Sequence, residues 1–184
     1  MNVDNLNNNL VNTQSKKTGA RGLRQTIYEA SRANLITPGE CDDLLRSISK
    51  NPELSEIKIK KYLCSGSSAI VFETEDGDVL KITEGSHYPL GRKQESFDVP
   101  IKKSGKAGDF HYYIEEKLSQ RGLNDGFVKI LQEEIIKKGY KPNDLDSWDL
   151  HQIGISKDGK LYLLDPECAK HKSIFHALWH MLTK

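Results

Sequence analysis

The segment Ile57-Lys58-Ile59-Lys60-Lys61-Tyr62-Leu63 runs directly into Cys64-Ser65-Gly66-Ser67-Ser68-Ala69-Ile70-Val71-Phe72. Val79-Leu80-Lys81-Ile82-Thr83 follows after the dipeptide Asp76-Gly77. β-Branched and aromatic residues bounded by small or turn-forming ones read as strand, loop, strand, turn, strand. Asp-Gly between two apolar runs favours a two-residue type I′ hairpin turn, so the last two strands are expected to be adjacent and antiparallel. A loop of small residues lets the main chain come close to a bound group. A lone strand lysine is ordinarily a solvated surface residue. Lys81 differs in following such a loop and in being flanked by Leu80 and Ile82.

Outward from this core the pattern continues. Two more strands are expected at Val99–Lys103 and Phe110–Lys117, joined by a turn containing Gly105 and Gly108, which makes five strands before residue 118. Phe127, Ile130, Leu131 and Ile135 recur at helical spacing, so a helix is expected over 126–138 and ends at Gly139. Then comes Trp148-Asp149-Leu150-His151-Gln152-Ile153-Gly154, a turn at Lys157-Asp158-Gly159-Lys160, and a returning strand Leu161-Tyr162-Leu163-Leu164 that ends at Asp165. A hairpin brings the chain back to its start, so Asp149 and Asp165 are expected to lie near each other.

A small-residue loop, a strand lysine and two ordered aspartates resemble the nucleotide site of the protein-kinase-like superfamily. Kinases cover the ATP phosphates with G-x-G-x-x-G-x-V, and here Cys64, Gly66 and Ala69 hold the glycine positions and Val71 the valine. The resemblance covers about residues 57–170. It implies an α+β, bilobal, minimal kinase-like fold, with a five-stranded antiparallel N-lobe sheet and a strongly reduced helical C-lobe. It implies ATP lying under Cys64, Ser65, Gly66, Ser67, Ser68, Ala69 and Val71, with Lys81 on its phosphates. Backbone contacts to the adenine fall at Glu115, Glu116, Lys117 and Leu118. Asp149 is implied as the residue that aligns the acceptor hydroxyl, and Asp165 as the ligand of a magnesium ion (Mg2+). Kinases pair the strand lysine with a helix glutamate, and Glu95 in Leu90-Gly91-Arg92-Lys93-Gln94-Glu95 is the candidate. The family's metal-binding asparagine falls on Gly154, which has no ligand atom. Gln152 is the candidate substitute ligand.

The remainder of the chain bounds these expectations. The chain has 184 residues with 36% apolar content, so one compact domain with a short extension is expected. Lys and Arg total 27 against 26 Asp and Glu, a net charge of +1, which argues for neither nucleic acid nor membrane as a partner. Cys41, Cys64 and Cys168 are scattered and odd in number, neither a disulfide framework nor a zinc pattern. No apolar run is long enough to cross a bilayer. Residues 1–20, crowded with asparagine, have the composition of a disordered tail. Residues 21–52 read as two helices, about 21–34 and 38–49. The second is opened by the capping box Thr37-Pro38-Gly39-Glu40 and ended by Asn51-Pro52. Residues 53–184 hold the kinase-like part, with a last helix near 173–183 that places His176 and His180 on one face. Without a third ligand nearby, that pair is read as ordinary histidines rather than a metal site.

Together these features imply an ATP-dependent protein Ser/Thr kinase, monomeric, acting on a folded protein. In its small size the chain resembles bacterial type III secretion effector kinases. One such group phosphorylates the host's cytosolic ATP-dependent chaperone. That resemblance implies delivery into the host cell cytoplasm, with residues 1–20 as the secretion signal. Two alternatives stand beside it: a pseudokinase binding module, for which Gly154 argues, and a small-molecule phosphotransferase, which shares the Asp-Leu-His loop but ordinarily has a larger C-lobe.

Overall fold

The computed structural model describes residues 21–65, 69–85, 88, 92–143, 145 and 150–171. The expected tail, the last helix with His176 and His180, loop residues Gly66, Ser67 and Ser68, and Asp149 lie outside the described residues.

The chain is a mixed α+β structure. Helix α1 spans Leu23–Arg32 and α2 spans Pro38–Ser49. The Thr37 side chain accepts from the Glu40 amide and the Glu40 carboxylate from the Thr37 amide, so the capping box forms as the sequence suggests. Asn51-Pro52 does more than end α2. Asn51 caps a further short helix, α3 (Pro52–Glu56), through the Leu54 amide.

Among the described residues six strands form one antiparallel sheet: β1 (Arg21–Gly22), β2 (Lys58–Ser65), β3 (Ala69–Thr74), β4 (Val79–Glu84), β5 (Ile101–Ala107) and β6 (Phe110–Glu115), in the order β1-β2-β3-β4-β6-β5. The five expected strands are joined by the two-residue β1, which pairs with β2. The strand expected at Val99–Lys103 starts later. Its place at Val99 is taken by a bond from the Val99 amide to the Leu163 carbonyl, and Pro100 has no amide to donate.

The turn at Asp76-Gly77 joins β3 to β4 as expected, but by another geometry. A type I′ turn needs positive φ at both central residues. Only Gly77 has it, at 83°, and the Thr74 amide bonds the Asp78 carbonyl across a three-residue loop. The later hairpin repeats this design. It joins β8 (Ile153–Ile155) to β9 (Leu161–Leu163), with Gly159 at 84° and the Ser156 amide on the Lys160 carbonyl.

Alternation along the strands divides the sheet into two faces. Ile70, Phe72, Leu80, Ile82 and Tyr112 face α1–α3 and share a core with Leu23, Ile27, Leu44, Ile48 and Leu54. The opposite face carries Val71, Lys81, Tyr113 and Glu115. A second core lies beyond it, built from Phe97, Val128, Leu131, Ile135, Tyr140, Ile153 and Leu163. Its frame is α4 (Asp125–Lys137), the β8–β9 hairpin, and a small ladder of β7 (Tyr140–Pro142) with β10 (Ala169–His171). No described helix is long and apolar enough to cross a membrane.

Candidate active site

Lys81 stands at the middle of β4, opposite Val71 on β3 and Tyr113 on β6. Its side chain is 14% exposed, so it is not a solvated surface lysine. Its ammonium donates to the Leu164 carbonyl at 2.9 Å, across 83 positions of sequence. Leu164 immediately precedes Asp165. The sheet lysine and the aspartate that follows the hairpin are therefore neighbours in space.

The second partner of Lys81 is Glu115, whose Oε2 lies 3.3 Å from Nζ with the carboxylate 3% exposed. This corrects the expected partner of Lys81. Glu95 is not the partner: its Oε1 accepts from the Tyr140 hydroxyl at 2.9 Å, on the side of the second core. The described residues 92–97 contain no helix that could carry a glutamate toward Lys81. The Glu115 side chain, to which the sequence reading gave no role, is the carboxylate beside Lys81. The sheet order explains the switch. Because β6 lies directly beside β4, Glu115 pairs with Val79 and stands diagonal to Lys81 on the same face. An ammonium has three donors. The Leu164 carbonyl and Glu115 engage two of them, and the third suits a phosphate oxygen.

Both sides of the loop stem belong to the sheet. Cys64 pairs with Val71 and Ser65 with Ile70. Ser65 Oγ donates to the Leu35 carbonyl at 3.2 Å and accepts from the Tyr62 hydroxyl at 3.0 Å. The turn between α1 and α2 thus holds one side of the loop. Cys64 is an exposed free thiol.

Beyond β6 the chain stays extended. Ser119 bridges Ile155, and Gln120 donates to the carbonyls of His151 and Ile153. Lys117 turns back to the buried Glu73 on β3 at 2.7 Å, where Lys60 also binds at 2.7 Å. Burial raises the Glu73 pKa, but the hydrogen bonds from Lys117 and Lys60 outweigh it and hold the carboxyl below its usual range. Glu73 was not singled out from the sequence. Its signal was a lone acid in an otherwise apolar strand.

At the hairpin, Leu150–Gln152 form a turn of 3-10 helix, and the Gln152 carbonyl accepts from the Leu164 amide at 2.8 Å. Gln152 and Leu164–Asp165 therefore lie together. Asp165 opens a second short turn, with its Oδ1 accepting from the Glu167 amide at 2.9 Å. Asp165 and Gln152 carry carboxylate and amide oxygens, the types of hard donor that magnesium takes. No cluster of three metal-ligating side chains occurs among the described residues.

Gly154 has a packing reason. A Cβ there would lie 2.6 Å from Leu118 Cβ and 3.1 Å from its Cδ1. The position of the expected asparagine is closed by the Leu118 contact, so no side-chain ligand fits without moving the chain after β6.

No protein-family model matches the chain, and no curated protein matches it in sequence.

Proposed function

We propose that the chain is an ATP-dependent protein Ser/Thr kinase of minimal, bilobal, kinase-like build. The observation that carries this reading is the bond from Lys81 to the carbonyl next to Asp165. It sets a cation for phosphates beside a carboxylate suited to magnesium. Val71, where the small-residue loop rejoins the sheet, pairs with Lys81 and shares its face. In this reading ATP lies between the sheet and the second core, with its adenine edge along 115–118.

The roles follow from ordinary chemistry. Asp165, with Gln152, would hold a magnesium ion, which would supply countercharge to the phosphates. Lys81 orients the phosphates, and the Glu115 carboxylate holds its ammonium in place. Asp149 aligns the acceptor hydroxyl. The chain positions and neutralises; it forms no covalent intermediate. In this reading the acceptor is a hydroxyl on a folded protein. A host protein such as a chaperone, reached by type III secretion, is the proposed target class.

One observation favours a second reading. The closed Gly154 position removes a metal ligand, as in a nucleotide-binding module without turnover. Phosphoproteomics of cells expressing the wild type or Asp165→Ala separates the two. One or a few dominant Ser/Thr sites present only with the wild type support the kinase. Identical phosphoproteomes leave the binding module. Hundreds of sites sharing a short consensus contradict recognition of a folded target.

A further inference from the structure

Arg92 is the most deeply buried cation of the described chain, with no side-chain exposure, and none of the proposed catalytic roles uses it. It pairs with Asp98, which is equally buried. Its guanidinium carbon lies 5.1 Å from the Tyr88 ring centroid, 5.3 Å from that of Phe97 and 5.5 Å from that of Tyr140. Three aromatic faces around one cation are a strong electrostatic seat. Among the described residues, Nε and Nη1 have no hydrogen-bond partner. The rings stand where acceptors would otherwise be.

Such a pair is costly to bury and does not by itself mark stability. Its location suggests what it does. Asp98 Oδ2 accepts from the Glu95 amide at 2.7 Å, which locks the turn before it. On either side of Asp98 the main chain grips Leu163. The Leu163 amide donates to the Phe97 carbonyl at 2.6 Å, and the Val99 amide donates to the Leu163 carbonyl at 3.1 Å. Residues 97–99 thereby form a parallel rail beside β9. The next carbonyl along that strand, Leu164, receives Lys81, and the next residue is Asp165. Tyr88 sits against this knot from the other side. Burial first, and then Asp98, push its hydroxyl pKa far above the usual value, and Glu115 adds to the rise. Through Phe97 and Tyr140 the knot is part of the second core.

We propose that Arg92 is a positioning residue: seated among three rings, it holds Asp98 and so fixes the rail that sets Asp165 against Lys81. This rests on the kinase reading above. Arg92 touches neither nucleotide nor metal; it acts through Asp98 and Leu163.

The test uses the full chain. Arg92→Met combined with Asp98→Asn removes both charges together, so neither is left buried alone, and the introduced carboxamide oxygen can still accept from the Glu95 amide. Melting temperature, kcat, KM for ATP and the magnesium concentration for half-maximal rate are measured. The double variant should fold and keep its KM for ATP, because the loop and the sheet face are untouched. Its kcat should fall about 10- to 100-fold, the usual effect of losing support behind a ligating side chain, and its magnesium requirement should rise. Arg92→Lys, which keeps the charge but not the flat stacking, should recover part of kcat. A folded double variant with wild-type kcat and wild-type magnesium dependence would overturn the proposal. If the double variant does not fold, Arg92→Lys decides: reduced kcat at an unchanged melting temperature supports positioning, and unchanged kcat overturns it. Failure of the kinase reading looks different, since the wild type would then transfer no more phosphate than Asp165→Ala, and the proposal falls with it.

Discussion

Replacing Glu115 by alanine should damage the protein far more than replacing Glu95, although Glu95 sits where the resemblance expects the lysine's partner. At 3.3 Å, Lys81 and Glu115 attract each other by about 5 kcal/mol at an effective dielectric constant near 20, before desolvation takes back most of it. Truncating one partner of a fully buried pair costs about 3–5 kcal/mol, because the other charge is left uncompensated. Lys81 keeps the Leu164 carbonyl and remains 14% exposed, so Glu115→Ala falls at or below the low end of that range, about 2–3 kcal/mol. For a chain of this size that lowers Tm by about 4–12 °C. Glu95→Ala loses only the Tyr140 hydrogen bond, about 1 kcal/mol, or about 2–4 °C. Thermal unfolding followed by circular dichroism reads both. KM for ATP should rise in Glu115→Ala and stay unchanged in Glu95→Ala. Equal effects, or a reversed order, would show that the cross-strand pair does not hold the lysine.

Gly154→Ala should destabilise by about 1–3 kcal/mol through the Leu118 contact, and Leu118→Gly in the same chain should restore part of it, as read by urea unfolding. Thr37→Ala removes one half of the capping box and should cost about 1 kcal/mol in the same assay. The Glu73 carboxyl is lowered in the folded chain, so its contribution is fully present above the unfolded pKa of about 4.3 and is lost as pH falls through the lower folded value. Stability of Glu73→Gln measured across about pH 3 to 6 should therefore fall less steeply at the acid end than that of the wild type; parallel curves would exclude the ion cluster as the cause.

Much of the local structure was legible because its causes are local. Thr37 and Glu40 stand at capping-box spacing, Asp76-Gly77 and Asp158-Gly159 mark hairpins, and Leu131 and Ile135 lie on the buried helical face, which Val128 completes in place of the exposed Ile130. What escaped depends on residues far apart in sequence. The partner of Lys81 could not be read, since it follows from β5 moving to the sheet edge and leaving β6 beside β4. Arg92 reads as a charged loop residue until Tyr88, Phe97 and Tyr140 converge on it from three segments. Gly154 reads as a missing ligand, while its contact with Leu118 is invisible in one dimension. Even the Asp-Gly turn was read correctly as a hairpin and incorrectly as type I′, because only Gly77 adopts positive φ.

The central claim is that Lys81 and Asp165 form a working phosphoryl-transfer site. The most direct test incubates the purified wild type and Asp165→Ala with γ-labelled ATP, magnesium and host-cell lysate, and measures label in protein. Label is expected on one or a few proteins with the wild type, dependent on magnesium and absent with Asp165→Ala. Equal labelling by the two, or none by a folded wild type that binds ATP, would contradict it.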